Sequence, residues 1–295
     1  MSDALSTAAV PADASARRRR GLWWRARRHP TVAVGLAVLA AIVLATACAP
    51  WLAGHDPLFV DPMARLKPPL GAHLLGTDAL GRDVWSRTVH GGRVSLVIGF
   101  AVAVTATGVG LLIGLVSGYN RIADAVLMRC MDGLMAIPTI LLAIALMAVL
   151  KASLTTVVIA ITVVEVPRVV RLVRGVVLSV REQPYVEAAV VAGSGFGRIL
   201  LRHILPNTLA PVIVQATYIG AAAILIESLL SFLGAGTPPE VASWGNIMAE
   251  GRTYFLVAPW IILAPGLVLA VTVLAINLVG DGVRDMLDPR FARRL

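Results

Sequence analysis

"VEAAVVAGSGFGRILLRHILPN", residues 186–207, is the stretch whose reading decides the fold. Glu187, Ala188 and Ala189 favour helix. Gly193, Gly195 and Gly197 interrupt it, and such a turn also lets a neighbouring backbone come close. "RILLRHIL" then restores helical spacing, with Arg198 and Arg202 on one face. Pro206 ends that pattern, and Asn207 is placed to cap a following helix. The prediction is a short helix, a glycine turn and a second short helix lying near a membrane surface. Two uses fit this physics equally. The piece docks a partner and carries rigid-body motion into the next span, or it is an interfacial loop helix with no partner.

The rest of the chain supplies the membrane. Its 295 residues are 58% hydrophobic, with mean hydropathy +0.82 and 15% charged residues, against about 25% in soluble domains. Apolar runs cover residues 31–53, 95–118, 134–150, 152–164, 208–226 (continuing to about Leu233) and 257–279. The fold class expected is an all-α polytopic membrane protein with six transmembrane helices. The fourth run is too short alone and has to continue past Glu165 and Pro167; with the third it forms a hairpin about Lys151. Gly110, Gly114 and Gly118 stack on one face of the second helix and invite close packing by another. The first run follows "ARRRRGLWWRARRHP", a basic arm with interfacial Trp23 and Trp24. "ATACAP" around Cys48 resembles a lipoprotein cleavage site, but the length of the run favours an uncleaved anchor.

Charge sets the orientation. Of the 26 Lys and Arg residues, 24 are arginine. Placing both termini in the cytoplasm puts nineteen of the 26 inside, including those of the opening stretch; the inverted arrangement puts nineteen outside and violates the positive-inside rule. Arginines set between apolar runs have a topological role, and nucleic acid is not expected as a partner. Cys48 and Cys130 read as small buried thiols with neither disulfide nor metal spacing.

Other polar residues have local readings. Glu227 follows a long uncharged run and is a candidate intramembrane polar site. It either meets a substrate amine or a neighbouring arginine, or ties helices together at the outer boundary. Asp78, Arg82, Asp83 and Arg87 alternate in sign and suggest solvated pairs on an interfacial helix, with a possible dock for an external protein. Pro238 and Pro239 break an outer stretch in which Trp244 suits headgroup depth, read as a partly re-entrant outer cap. His203 has no second ligand at metal spacing. No G-x-x-x-x-G-K-[ST], H-E-x-x-H or G-x-S-x-G occurs. Neither a catalytic residue nor a metal or cofactor site is expected on this chain.

"EAAVVAG" matches the E-A-A-x-x-x-G signature of ABC importer permease subunits, and the tail "RHILPN" resembles the peptide/nickel branch. "LGTDALGRDVWSRTVHGGRVSL" (75–96), "ESLLSFLGAGTPPEVASWGNIMAEGR" (227–252) and "NLVGDGVRDMLDPR" (277–290) resemble the same branch in order. The extra basic first span and the "LDPR" ending are similar to the second permease of dipeptide/oligopeptide systems. The resemblance implies a type I ABC importer permease architecture in the cytoplasmic (inner) membrane. It divides the chain into a basic arm (1–30), a first span with outer loop (31–92), a transmembrane core (93–283) with a coupling loop (182–207), and a tail (284–295). It implies as partners a homologous second permease, two ABC ATPase subunits that use ATP and Mg2+, and an extracytoplasmic substrate-binding protein. Glu187, Ala188, Ala189, Gly193 and Pro206 would be the ATPase-coupling residues. Peptide cargo is expected, with nickel or glutathione as alternatives. An ion-coupled secondary transporter is the rival from another class; it would want paired intramembrane acids in matching halves, and only Glu227 is of that kind.

Overall fold

A computed structural model describes residues 30–287. The basic arm with Trp23 and Trp24, and the end of the "LDPR" motif, lie outside the described residues. Four helices are long and apolar enough to cross a bilayer: α1 (Pro30–Ala47), α3 (Val84–Tyr119), the run Phe196–Phe232, and α11 (Trp260–Leu287). A bent pair, α4 (Arg121–Ala136) and α5 (Thr139–Val149), makes a fifth if counted as one span. The 28-residue α6 (Leu154–Arg181) carries Glu165 and four arginines, too many charges for the same test. Among the described residues there are isolated β-bridges and no sheet.

Among the described residues, α3 and α6 share the most extensive helix–helix contact. Gly110, Gly114 and Gly118 face Val169, Val173 and Val177, one glycine per valine at the same four-residue spacing. A Cβ added at Gly114 or Gly118 would lie 2.6 Å from the opposing valine Cβ. The small-residue face read from the sequence is therefore used as read, and the three valines are fully buried. The same device recurs where α1 meets α11: a Cβ on Gly35 would lie 2.9 Å from Leu278. Around these seams the outward faces remain apolar, with Val97, Phe100 and Leu112 of α3 and Leu263 and Leu267 of α11 exposed. Such faces require lipid or another subunit as solvent.

Several boundaries differ from the sequence reading. The first run is split at Cys48, after which Ala49–Leu52 forms a separate short helix, α2, with a proline in its first turn. Helix α3 starts well before Ser95, because Asp83 caps it by accepting from the Ser86 N–H at 2.7 Å. Its 36 residues extend about 54 Å, so it projects beyond a hydrocarbon core of about 30 Å. The third run is broken near Pro138 by a 94° bend, leaving α5 only 11 residues long. Proline disfavours the α conformation in the residue before it, Ile137. Helix α6 does continue through Glu165 and Pro167 to Arg181. A bidentate Arg174–Asp124 ion pair and a single Arg171–Asp132 bond tie it to α4. Cys130 is exposed and Cys48 half-buried, so neither is the buried thiol expected.

Gly114→Val is expected to lower stability by about 1–3 kcal/mol through overpacking. Gly108→Ala, on the same helix with open space around it, should not lower stability and should raise it by up to about 1 kcal/mol through helix propensity. Unfolding in mixed micelles followed by circular dichroism checks the contrast.

Candidate functional site

The opening stretch forms α7 (Pro184–Val191), a tight turn, and α8 (Phe196–Ile199). Pro184 stands in the first turn of α7, where its missing N–H costs nothing, and Glu187 places its charge near the positive end of that helix. The turn is a Schellman closure. Gly193 N–H donates to Val190 C=O at 2.9 Å and Ser194 N–H to Ala189 C=O at 3.0 Å. Gly193 has φ +78°, a left-handed conformation that costs other L-residues about 1–2 kcal/mol. Thus one glycine of the three is required by backbone geometry. Gly195 and Gly197 have φ outside that region and open space around them, so the close backbone approach expected of them does not occur within this chain.

The element is anchored on one side and bare on the other. Val186, Ile199 and Ile204 are buried in the main core. Phe196 packs edge-on against Tyr119 at the end of α3, ring centroids 4.6 Å apart, and Arg181 lies over the same tyrosine. Glu187, Ala188 and Gly193 are exposed and Ala189 half-exposed. Around them Tyr185, Val190, Val191, Phe196 and Leu201 present uncovered apolar area, Val191 being 89% exposed.

Beyond α8 the backbone does not stop. A π-helical turn, Leu200–Ile204, leads directly into α9 (Leu205–Phe232), and Leu205 N–H reaches back to Leu200 C=O. Pro206 sits in the first turn of α9; lacking an N–H, it is accommodated beside the widened turn and does not end the helix. Asn207, read as a cap, is inside α9. Its amide donates to His203 C=O at 2.6 Å and to the Tyr185 hydroxyl at 3.2 Å, so it pins α7 to the root of α9. Tyr119, Tyr185 and Phe196 were missed as fixing residues because their partners are distant in sequence.

Glu227 lies in the C-terminal half of α9 with no exposed area. Among the described residues no arginine or lysine pairs with it. Its oxygens accept from Ser231 Oγ at 2.9 Å and Ser95 Oγ at 3.3 Å. Ser95 Oγ in turn accepts from the N–H of Trp244, the first residue of α10 (Trp244–Gly251). The carboxylate thus joins α3, α9 and α10. Trp244 is fully buried, its indole N–H donating to Thr88 C=O at 2.9 Å, so its ring meets protein and not lipid headgroups.

The alternating charges are likewise not solvated pairs on a helix. Asp78 and Arg87 are 1% exposed. The Arg87 guanidinium donates to Asp78 at 2.6 Å and also to Glu250 of α10, and Arg82 bridges the same two acids. Asp78 to Asp83 form turns, since Gly81 has φ +77° and Asp78 accepts from the Leu80 and Arg82 N–H groups. This cluster locks the outer loop to α10.

Comparisons with known proteins converge. Residues 107–293 match the family model described as binding-protein-dependent transport system inner membrane component. Residues 18–69 match the N-terminal TM domain of oligopeptide transport permease C. The chain is 52% identical over 269 residues to the probable peptide ABC transporter permease protein y4tQ of Sinorhizobium fredii, covering 91% of this chain and 92% of that one. It is 41% identical over 265 residues to the dipeptide transport system permease protein DppC of Alkalihalophilus pseudofirmus (90% and 87% covered). Identity is 40% over 270 residues to the probable D,D-dipeptide transport system permease protein DdpC of Escherichia coli (91% of each).

Glu227→Ala is expected to cost about 1–3 kcal/mol, since it strips the Ser95 and Ser231 hydroxyls of their acceptor. Glu227→Gln, which keeps an acceptor oxygen, should cost less. Thermal unfolding of the purified chain ranks the two.

Proposed function

We propose that this chain, which belongs to the family of binding-protein-dependent transport system inner membrane components, is the permease subunit through which an ATP-driven importer passes peptides. As an ABC transporter permease it is a non-catalytic, multi-pass membrane component. Peptide cargo is supported by the names of the relatives, all peptide or dipeptide permeases at 38–52% identity over most of the chain. Its partners are a homologous second permease, two ATPase subunits that bind ATP and Mg2+, and an extracytoplasmic binding protein that selects the cargo. This chain supplies no nucleotide site.

The finer reading has six spans, counting α4–α5 as the third and α6 as the fourth, with both termini in the cytoplasm. Arginine placement supports it. One observation carries the coupling role: α7 and α8 are fixed to the ends of α3 and α9 yet leave Tyr185, Val190, Val191 and Phe196 uncovered. A convex apolar ridge on a rigid base suits seating in an ATPase groove. Glu187, Ala188 and Ala189 form its first turns, Gly193 closes it, and Pro206 lies at its junction with α9. Movement of the ridge is then delivered to a continuous helix. Glu227 stays a polar tie between outer helices in this account.

Gly193→Asp should leave membrane insertion intact and abolish ATP-dependent peptide uptake into proteoliposomes. Gly193→Asn should retain much of it, since asparagine occupies the same left-handed turn without adding a charge to the apolar ridge. Normal import by the aspartate variant sinks the coupling role. Orientation is tested separately. With Cys48 and Cys130 replaced, a Glu187→Cys variant should resist impermeant maleimide in intact cells and react in inverted vesicles.

A further inference from the structure

Outside the ridge and the buried polar clusters, one group of side chains has no part in the transport reading. His55, His73 and Asp83 lie at the outer end of α3, and one donor atom from each falls within 4.8 Å of the other two. His73 Nδ1 is 3.0 Å from Asp83 Oδ1. The His55 and His73 rings lie 5.3 Å apart between centroids, inclined by 36°. We infer that these three residues form a binding site for a divalent transition-metal ion of the Zn2+ type, with the two imidazoles and the Asp83 carboxylate as ligands.

The local structure divides the work between atoms. Asp83 Oδ2 is committed to the Ser86 N–H as the cap of α3, which leaves Oδ1 facing His73. The same Ser86 donates its hydroxyl to the His55 C=O at 2.6 Å, so one residue holds the Asp83 side chain and the His55 backbone. The His73 backbone is held by hydrogen bonds with Leu70 and Gly76. Asp83 is 3% and His73 20% exposed in their side chains, whereas His55 is exposed. The site therefore has a fixed floor and a movable third ligand, with an open side for water. Donors on a tetrahedral ion with bonds of about 2.0 Å sit roughly 3.3 Å apart. The His73–Asp83 pair is already near that separation. Rotation of the exposed His55 side chain closes the remainder.

The chemistry selects the ion. Imidazole with one carboxylate suits Zn2+ and its borderline neighbours over Ca2+ or Mg2+, which want oxygen ligands. A bound ion would staple the segment after α2, the outer loop and the start of α3 into one unit. The three residues are scattered in sequence and match no metal spacing, so no pattern along the chain points to a site here.

The test uses the full chain in nanodiscs, with any affinity tag removed. Isothermal titration with Zn2+ should find one site per chain, Co2+ should give the visible bands of a tetrahedral complex, and Zn2+ should raise the unfolding temperature. His55→Ala, a surface change, should weaken Zn2+ binding about tenfold or more and erase the Co2+ bands, with the metal-free stability unchanged. Asp83→Asn keeps the helix cap and should weaken binding as well. His203→Ala, at the opposite end of the molecule, should bind as the parent does. Absence of Zn2+ binding by the parent chain, or unchanged stoichiometry and affinity in His55→Ala, overturns the inference. Neither result bears on peptide transport, which Gly193 variants test.

Discussion

Glycines at 110, 114 and 118 of α3 receive valines at 169, 173 and 177 of α6, and the rest of the bundle is arranged around that contact. In lipid there is no hydrophobic force to bring two apolar helices together, so close packing has to supply the attraction. A glycine opposite a valine at each turn lets the backbones approach and multiplies small dispersion gains. With the two helices fixed, Asp124 and Asp132 of α4 come within reach of Arg174 and Arg171. The same contact brings Tyr119, at the end of α3, beside Phe196. The apolar ridge of α7 and α8 thus inherits its position from the glycine–valine seam.

The outer end is organised by polar groups withdrawn from solvent. Arg87 is almost wholly buried between Asp78 and Glu250, and Glu227 is enclosed by hydroxyls. Removing one partner of such a cluster is costly, because it strands a buried charge or donor. The clusters resist sliding of α3, α9 and α10 against one another, so a displacement arriving from the ridge would reach them as movement of a packed unit.

Between these ends runs an unbroken path of helix from Phe196 to Phe232. The Schellman turn at Gly193 fixes the angle between α7 and that path. The π-turn before Pro206 keeps the path hydrogen-bonded where an α-helix would have lost a donor. In the coupling role proposed for it, a ridge joined in this way would move the helix behind it.

The sequence by itself determined the membrane class, the family, the helix–turn–helix of residues 184–199 and the packing face of α3. Each depends on local composition or on a fixed period along one helix, which short-range sequence carries. Continuation of α6 through Glu165 and Pro167 was legible for the same reason: its apolar run was too short without them. Only the tertiary structure decided that Asp78 and Arg87 are buried, that Trp244 is core, that Asn207 is a brace and not a cap, and that the third run bends near Pro138. It alone brought His55, His73 and Asp83 together. For the buried and bracing residues the deciding partner comes from another element or a distant turn: Glu250 for Arg87, Thr88 for Trp244, Tyr185 for Asn207. The free energy of a buried polar group depends on that partner, and no pattern along a single segment encodes it.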